Sequence, residues 1–331
     1  MDLPLAHVKT TPVGTISVVR AIIVELEQDG LRGYGEVCED TLLRTRVEEL
    51  AESIEKIKPS LARYALADPL AFERFLEPLL PTLSARCAVE MAACDLWGKM
   101  RNRPLRQIWR YKAETLPLSS YTIGQDSLDR ALEKFDEVPD WPLYRLELGN
   151  RDDLLLLEEL RKRTNARFRV DVAGGWSLEQ ALDYLAPLQE LGVEMIEQPL
   201  APDAWDRMKI LKENSPIPIY ADESCRSIDD LARCAESFHG VNLKPMKFGG
   251  LFPTVRAIAQ AKSLGLKTMI GNPVESTVAA SIISQFAPAL DDIYIDGPLQ
   301  IDKRVGIGVE LDHGKIVYPN ENGSGVRFSW R

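Results

Sequence analysis

The sequence predicts an α/β protein, a barrel of alternating strands and helices preceded by a smaller α+β domain. Three observations carry that prediction. After Leu116-Pro117, strand-like apolar runs alternate with helix-like runs to about residue 300. Successive runs end about 20–27 residues apart, which is one strand-plus-helix unit per step. Four consecutive runs end in charge, at Asp171, Glu197, Asp222 and Lys244, and a barrel places its chemistry at the C-terminal ends of its strands. A doubly wound sheet is the rival, but no Gly-x-Gly-x-x-Gly follows a first strand.

The elements follow in chain order. Residues 1–40 read as β: residues 17–26 form a β-branched run, Gln28-Asp29-Gly30 is a turn signal, and Gly33-Tyr34-Gly35-Glu36-Val37 is the return strand of a hairpin. Residues 41–57 are helical by the spacing of Val47, Leu50, Ile54 and Ile57, and Pro59 should interrupt them. A second helix is predicted over 70–77, ahead of Pro78. A third runs over 84–100, with Ser84 as N-cap and small residues Ala85, Ala88, Ala92 and Ala93 for close packing. Hairpin followed by helices makes an α+β domain over 1–112. The barrel occupies 116–300, with strands ending near Thr122, Glu147, Asp171, Glu197, Asp222, Lys244, Gly271 and Tyr294. Capping-box patterns at Ser177-x-x-Gln180 and Ser227-x-x-Asp230 open two of its helices. Residues 301–331, with a hairpin at 309–317, are expected to fold back onto the first domain.

Composition narrows the function. A formal net charge of −10 with no basic run argues against a nucleic-acid partner. No apolar run is long enough to span a membrane, and the N-terminus lacks the charged-then-apolar pattern of a secretory signal. Five cysteines without CxxC spacing read as buried thiols, so a cytoplasmic location is expected.

Three carboxylates at successive strand ends, without His or Cys beside them, form a hard oxygen ligand set. Asp171, Glu197 and Asp222 therefore suit Mg²⁺ better than zinc, and the chain has only three histidines. Lys244, one strand further on, is placed to be a base, which requires its pKa to fall toward neutrality. Gly249-Gly250 would let backbone N–H groups approach an anionic ligand.

These motifs, in this order, resemble the enolase superfamily in its muconate-lactonizing subgroup, and most closely the dipeptide epimerases. The resemblance rests on Gly33-Tyr34-Gly35-Glu36, Ala88-Val89-Glu90-Met91-Ala92, Asp95-Leu96-Trp97-Gly98-Lys99, Ser120-Tyr121-Thr122-Ile123-Gly124, the three acid motifs, residues 242–250, Gly271-x-x-x-Glu275 and Asp296-Gly297-Pro298-Leu299. It implies a (β/α)7β TIM-type barrel under an α+β cap, and one Mg²⁺ per subunit held by Asp171, Glu197 and Asp222. A carboxylate substrate, a dipeptide or N-acyl amino acid, would lose its α-proton to a base and pass through an enediolate, the known chemistry of this superfamily. Thr122, Arg145, Lys247, Glu275 and Asp296 would contact the substrate. A homo-oligomer is implied as well. The branch with a histidine at the seventh strand does not fit, since Thr268-Met269-Ile270-Gly271-Asn272-Pro273 has none.

The sequence also departs from that pattern. The Lys-x-Lys of the second barrel strand is Arg145-Leu146-Glu147, so the lysine opposite Lys244 is replaced by Glu147. Three readings stay open: Glu147 as a weaker second base, an Arg145–Glu147 ion pair that fills space, and one-base chemistry through Lys244 alone, as in a cycloisomerase or a dehydratase. A catalytically silent metal-binding member is a further alternative. The usual Asn after the first metal ligand is Ala173, and the Asp-x-Asp that would hold a substrate ammonium is Tyr294-Ile295-Asp296. The chain opens at Asp2-Leu3-Pro4-Leu5, which leaves either a cap sheet without its edge strand or a misassigned start. Loops around 4–16 and 38–44 are expected to close over the site.

Overall fold

The computed structural model describes residues 1–11, 14–39, 45–112, 115–149, 153–271 and 273–328. The first domain is an antiparallel sheet of β1 (Asp2–Thr11), β2 (Gly14–Gln28) and β3 (Leu31–Cys38), in that order. The edge strand is present: Leu3 pairs with Val19. Asp29 and Gly30 both take positive φ, 53° and 76°, the turn that matches strand twist in a two-residue hairpin. Helices α1 (Val47–Leu61), α2 (Pro69–Leu79), α3 (Leu83–Met100) and α4 (Leu105–Ile108) follow. Pro59 and Pro78 lie inside α1 and α2 and do not end them. Each sits in the last turn, where a proline removes one N–H and few residues remain to be displaced. Thr82, rather than Ser84, is the N-cap of α3, and Ser84 is buried. The small residues do what their spacing implies. A Cβ on Gly33 would stand 2.2 Å from Ala92 O and one on Gly35 2.0 Å from Ala88 O, so α3 lies flush against β3.

The second domain is an eight-stranded parallel sheet. Its strands are β4 (Tyr121–Ile123), β5 (Leu143–Glu147), β6 (Arg167–Asp171), β7 (Val193–Glu197), β8 (Ile219–Ala221), β9 (Gly240–Asn242), β10 (Lys267–Gly271) and β11 (Asp292–Tyr294). They are joined in sequence order, and a parallel bridge from Ser119 to Ile293 closes the ring. Helices α5 (Leu128–Glu137), α6 (Asp153–Arg163), α7 (Leu178–Glu190), α8 (Trp205–Asn214), α9 (Leu231–Ser237), the pair α10 (Pro245–Phe248) and α11 (Leu251–Ser263), and α12 (Thr277–Ser284) fill the seven gaps. This is the (β/α)7β barrel. Its interior is packed in part by Met195, Tyr220, Met269 and Tyr294, from the adjacent pairs β7–β8 and β10–β11. Gly271 makes room for this layer, since a Cβ there would stand 1.7 Å from the Tyr294 ring. Arg169 crosses the floor to Glu194 and Asp292. The capping box forms at Ser227 with Asp230, and Ser177 Oγ caps by accepting from Gln180 N while the Gln180 amide turns to Tyr184 OH. All five cysteines are buried and free. No helix among the described residues is long and apolar enough to cross a membrane.

The two domains are joined by buried carboxylates from the cap. Glu36 on β3 accepts from Ser276 N, Ser276 Oγ and Ala279 N at the start of α12. Glu90 on α3 accepts from Phe252 N at the start of α11. Helix N-termini present free N–H groups, so each carboxyl group meets donors, although burial outweighs them and raises the pKa of both. Asp95 ties the C-terminal segment in, accepting from Ser324 N and Oγ on one oxygen and from Tyr34 N and Lys99 Nζ on the other. That segment carries the hairpin β12 (Glu310–Asp312) and β13 (Lys315–Val317), and Gly314 O accepts from Ser119 N beside β4. It therefore packs on both the barrel and the cap.

Glu90 makes stability depend on pH. Burial above all raises its pKa from 4.5 to about 8, against the Phe252 N–H. The folded chain thus holds a proton that the unfolded chain releases. This contribution is fully present below pH 4.5 and is lost as pH rises toward 8, at about 1.4 kcal/mol per pH unit. Unfolding free energies measured by urea titration from pH 5 to 9 should fall with pH, and Glu90→Gln should remove one proton's share of that slope. An unchanged slope in the variant would show that Glu90 is ionised throughout.

Candidate active site

The predicted site residues converge on the C-terminal rim of the barrel. Asp171 and Glu197 end β6 and β7, and Asp222 follows β8 by one residue. Strand alternation sends these side chains to the inner face. Arg145 on β5 reaches across the ends of β5, β6 and β7. Its Nη1 donates to Glu147 Oε1 at 3.2 Å, its Nη2 to Asp171 Oδ2, and its Nε to Glu197 Oε2 at 3.1 Å. The Tyr294 ring lies under the guanidinium, 4.2 Å from Cζ, and fixes its plane. Burial alone would pull this guanidinium down, yet Tyr294 and the carboxylates of Asp171, Glu197 and Glu147 keep its pKa well above the ordinary value.

Two lysines hold Asp222. Lys244 Nζ donates to Oδ2 at 2.6 Å, and Lys247 Nζ to Oδ1 at 2.5 Å. Lys247 also donates to the carbonyls of Asp222 and Asn242, which occupies all three of its protons. In this structure it is a strut for Asp222, where the sequence led to an expected substrate contact. Burial opposes the charge on Asp222, but the two ammonium groups overcome it and hold the carboxyl below its usual range. Burial likewise opposes the charge on Lys244, and Asp222, with Tyr294, Glu197 and Glu223, reverses it, so its pKa lies well above 10.5. The base was expected to be lowered toward neutrality. The difference comes from Asp222, which spends its charge on Lys244 in this structure.

Several positioning residues carried no role in the sequence reading. Asn242, two residues before Lys244 on the same strand face, donates to Glu197 Oε1 at 2.7 Å and to Tyr294 OH, and accepts from Gly271 N. Gln198 accepts from Asp222 N and Ser224 N and donates to Ser224 Oγ. Ala173 N caps Asp171 Oδ1, with Ala173 at φ 48°, a conformation that Asn tolerates better than Ala. The signal available was position: each lies within two residues of a predicted ligand or base.

Thr122 and Asp296 are bonded to each other, Thr122 N to Oδ2 at 2.6 Å, and Gln300 Nε2 adds a second donor to that oxygen. Their polar atoms are thereby turned toward the protein. Glu275 is buried just before Ser276, the N-cap of α12. Gly249-Gly250 receives a carboxyl group from within the chain. Glu90 Oε2 occupies the place a Gly250 Cβ would take, 1.6 Å from it, which differs from the external ligand expected there. Of the loops expected to cover the site, residues 12–13 and 40–44 lie outside the described residues, and residues 2–11 form β1.

The donor set fits a hard divalent cation. Glu147, Asp171, Glu197, Asp222 and Glu223 face Arg145, Lys244 and Lys247, so full ionisation of the five acids would leave two negative charges without a counter-ion in the cluster. The strain is visible in two of them. Glu223 Oε2 is buried without a hydrogen-bond partner, and burial, then Asp222 and Asp171, raises its pKa to about 8. Burial also raises Asp171 to about 7, and Glu197, Glu147 and Asp222 add to this while Arg145 opposes it. Among the described residues no three acidic, His or Cys side chains are already drawn together around one point. Arg145 and the two lysines stand between them.

Comparison with known proteins agrees with this architecture. Residues 3–109 match the family model described as mandelate racemase/muconate lactonizing enzyme, N-terminal domain, and residues 134–331 match the enolase C-terminal domain-like model. The chain belongs to the mandelate racemase/muconate lactonizing enzyme family. The L-Ala-D/L-amino acid epimerase of Flavobacterium johnsoniae is 38% identical over 326 residues, covering 98% of this chain and 97% of that one. Among solved structures, a substrate-liganded complex of the L-Ala-D/L-Glu epimerase from Bacillus subtilis superposes with a TM-score of 0.91 at 25% identity, covering 98% and 96% of the two chains. A dipeptide epimerase from Cytophaga hutchinsonii, complexed with Mg and D-Ala-L-Val, shares the fold at a TM-score of 0.92 and 19% identity, covering 99% and 94%. With such relatives in the mandelate racemase/muconate lactonizing enzyme family, the chain stands among the isomerases.

Proposed function

We propose that this chain is a Mg²⁺-dependent isomerase that moves the proton α to a carboxylate in a dipeptide or N-acyl amino acid, with Lys244 and Glu147 as its two acid/base groups. The placement of those two side chains supports the reading. Glu147 ends β5 and Lys244 follows β9, four strands apart in a ring of eight. Asp171, Glu197 and Asp222 belong to the three strands between them. A trigonal carbon held over the acids would then meet a proton carrier on each face, which inversion requires. When bound at Asp171, Glu197 and Asp222, Mg²⁺ supplies the positive charge that lets a carboxylate accept a second negative charge as an enediolate. Lys244 keeps its proton while Asp222 is its counter-ion, and releases it more readily once Asp222 is otherwise engaged. The names of the relatives, epimerases of dipeptides, point to the same substrate class.

One observation favours a second reading. Glu147 is already bonded to Arg145, and a carboxylate so paired is a weak base. Lys244 would then work alone, as a cycloisomerase or a dehydratase permits. Incubation with Mg²⁺ and a library of dipeptides and N-acyl amino acids in D₂O separates the two. Deuterium gain with inversion at the α-carbon supports the two-base epimerase. Gain without inversion supports Lys244 acting alone, and no gain with any member rejects the proposed substrate class.

A further inference from the structure

We propose that Arg145 is a built-in counter-ion that competes with the divalent cation for Asp171 and Glu197, so that metal entry is an exchange of one positive charge for another. This rests on the metal site proposed above. The geometry that carries it is one guanidinium bonded to carboxylates on three adjacent strands. A lysine ammonium is a compact point charge and could not span them, whereas the planar fork of arginine can.

Both oxygens of Asp171 and of Glu197 already have donors. On Asp171 they are Ala173 N and Arg145, and on Glu197 they are Asn242 Nδ2, with Tyr294 OH at 3.5 Å on the same oxygen, and Arg145. Ala173 N is backbone, and Asn242 is pinned through its Oδ1 to Gly271 N. Arg145 is the donor on a long side chain, hence the one that can leave. It also cannot stay in place at no cost, because a dication and a guanidinium on the same carboxylates repel strongly in a buried site. Glu147 provides somewhere to go. It already takes Nη1, and it lies on the rim away from Glu197. Glu147 is thus the anchor that Arg145 keeps through its existing Nη1 bond, with no further claim on the carboxylate, and the Tyr294 ring is the surface along which the guanidinium moves off Asp171 and Glu197.

The test uses Mn²⁺ as the probe, titrated into the full-length protein by calorimetry and by the loss of its free-ion paramagnetic signal. Arg145→Met should bind Mn²⁺ at least ~10-fold more tightly than the wild type, and Arg145→Lys should fall between them. In chelator, Arg145→Met should melt at lower temperature than the wild type and recover that loss with Mn²⁺. If it does not fold in chelator, it is purified with Mn²⁺ and the metal is chased out, and slower release than from the wild type is expected. Equal or weaker Mn²⁺ binding by Arg145→Met, in a protein whose binding is lost in Asp171→Asn, overturns the exchange while leaving the metal site intact. Binding that survives Asp171→Asn shows that the metal site itself was misplaced.

Discussion

Replacing Lys244 by alanine should abolish exchange of the α-proton on its face of the substrate while leaving Mg²⁺ affinity nearly unchanged. The two effects separate because Lys244 touches the acids only through Asp222 Oδ2, at 2.6 Å. Removing the ammonium takes away a competitor for that oxygen, and Lys247 still holds the other one at 2.5 Å. Affinity for the dication is therefore kept or slightly raised. The proton carrier is gone outright, and losses of roughly 10²–10⁴-fold follow the removal of a positioned acid/base group. Deuterium exchange followed by mass spectrometry, with Mn²⁺ titration on the same sample, checks both halves. Undiminished exchange would remove Lys244 from the mechanism, and a collapse of metal affinity would make it a structural support instead.

Glu197→Gln should have the opposite profile, with metal binding and stability lost together. Glu197 is fully buried and accepts from Arg145 Nε and Asn242 Nδ2. An amide there must turn its NH₂ toward one of those donors, leaving a donor facing a donor. Removing one partner of a buried charged pair costs roughly 3–5 kcal/mol. Arg145 keeps Asp171 and Glu147, so about 3 kcal/mol is expected from denaturant unfolding in chelator. Loss of one of three ligand charges should weaken Mn²⁺ binding by on the order of 100-fold. Unchanged Mn²⁺ affinity would exclude Glu197 as a ligand.

The middle of the barrel was legible because strands β5 to β9 end where an apolar run meets a charge. Glu147, Asp171 and Glu197 are the last residues of their strands, and Asp222 and Lys244 follow theirs within two. Such ends are local signals, since period-2 alternation fixes which side chain faces inward. The proline boundaries were not legible in the same way. Pro59 and Pro78 sit late in helices whose buried faces, Leu50 and Ile57 in one and Phe72 and Leu76 in the other, outweigh one missing hydrogen bond. Least legible was the pairing of charges. The sequence puts Arg145 beside Glu147, but its bonds to Asp171 and Glu197 exist only because three strands lie side by side. The same holds for Glu90, whose partner at Phe252 is 162 residues away. Gly249-Gly250 marked a close approach, but what approaches is the buried carboxyl of Glu90 from the cap.

The most direct measurement is the face from which deuterium enters each epimer of a turned-over dipeptide in D₂O with Mg²⁺, recorded for the wild type, Lys244→Ala and Glu147→Gln. Two acid/base groups on opposite rims of one acid cluster require that each variant label only one epimer, and not the same one. If Glu147→Gln still labels both epimers at the wild-type rate, Glu147 carries no proton and the two-sided site proposed here is contradicted.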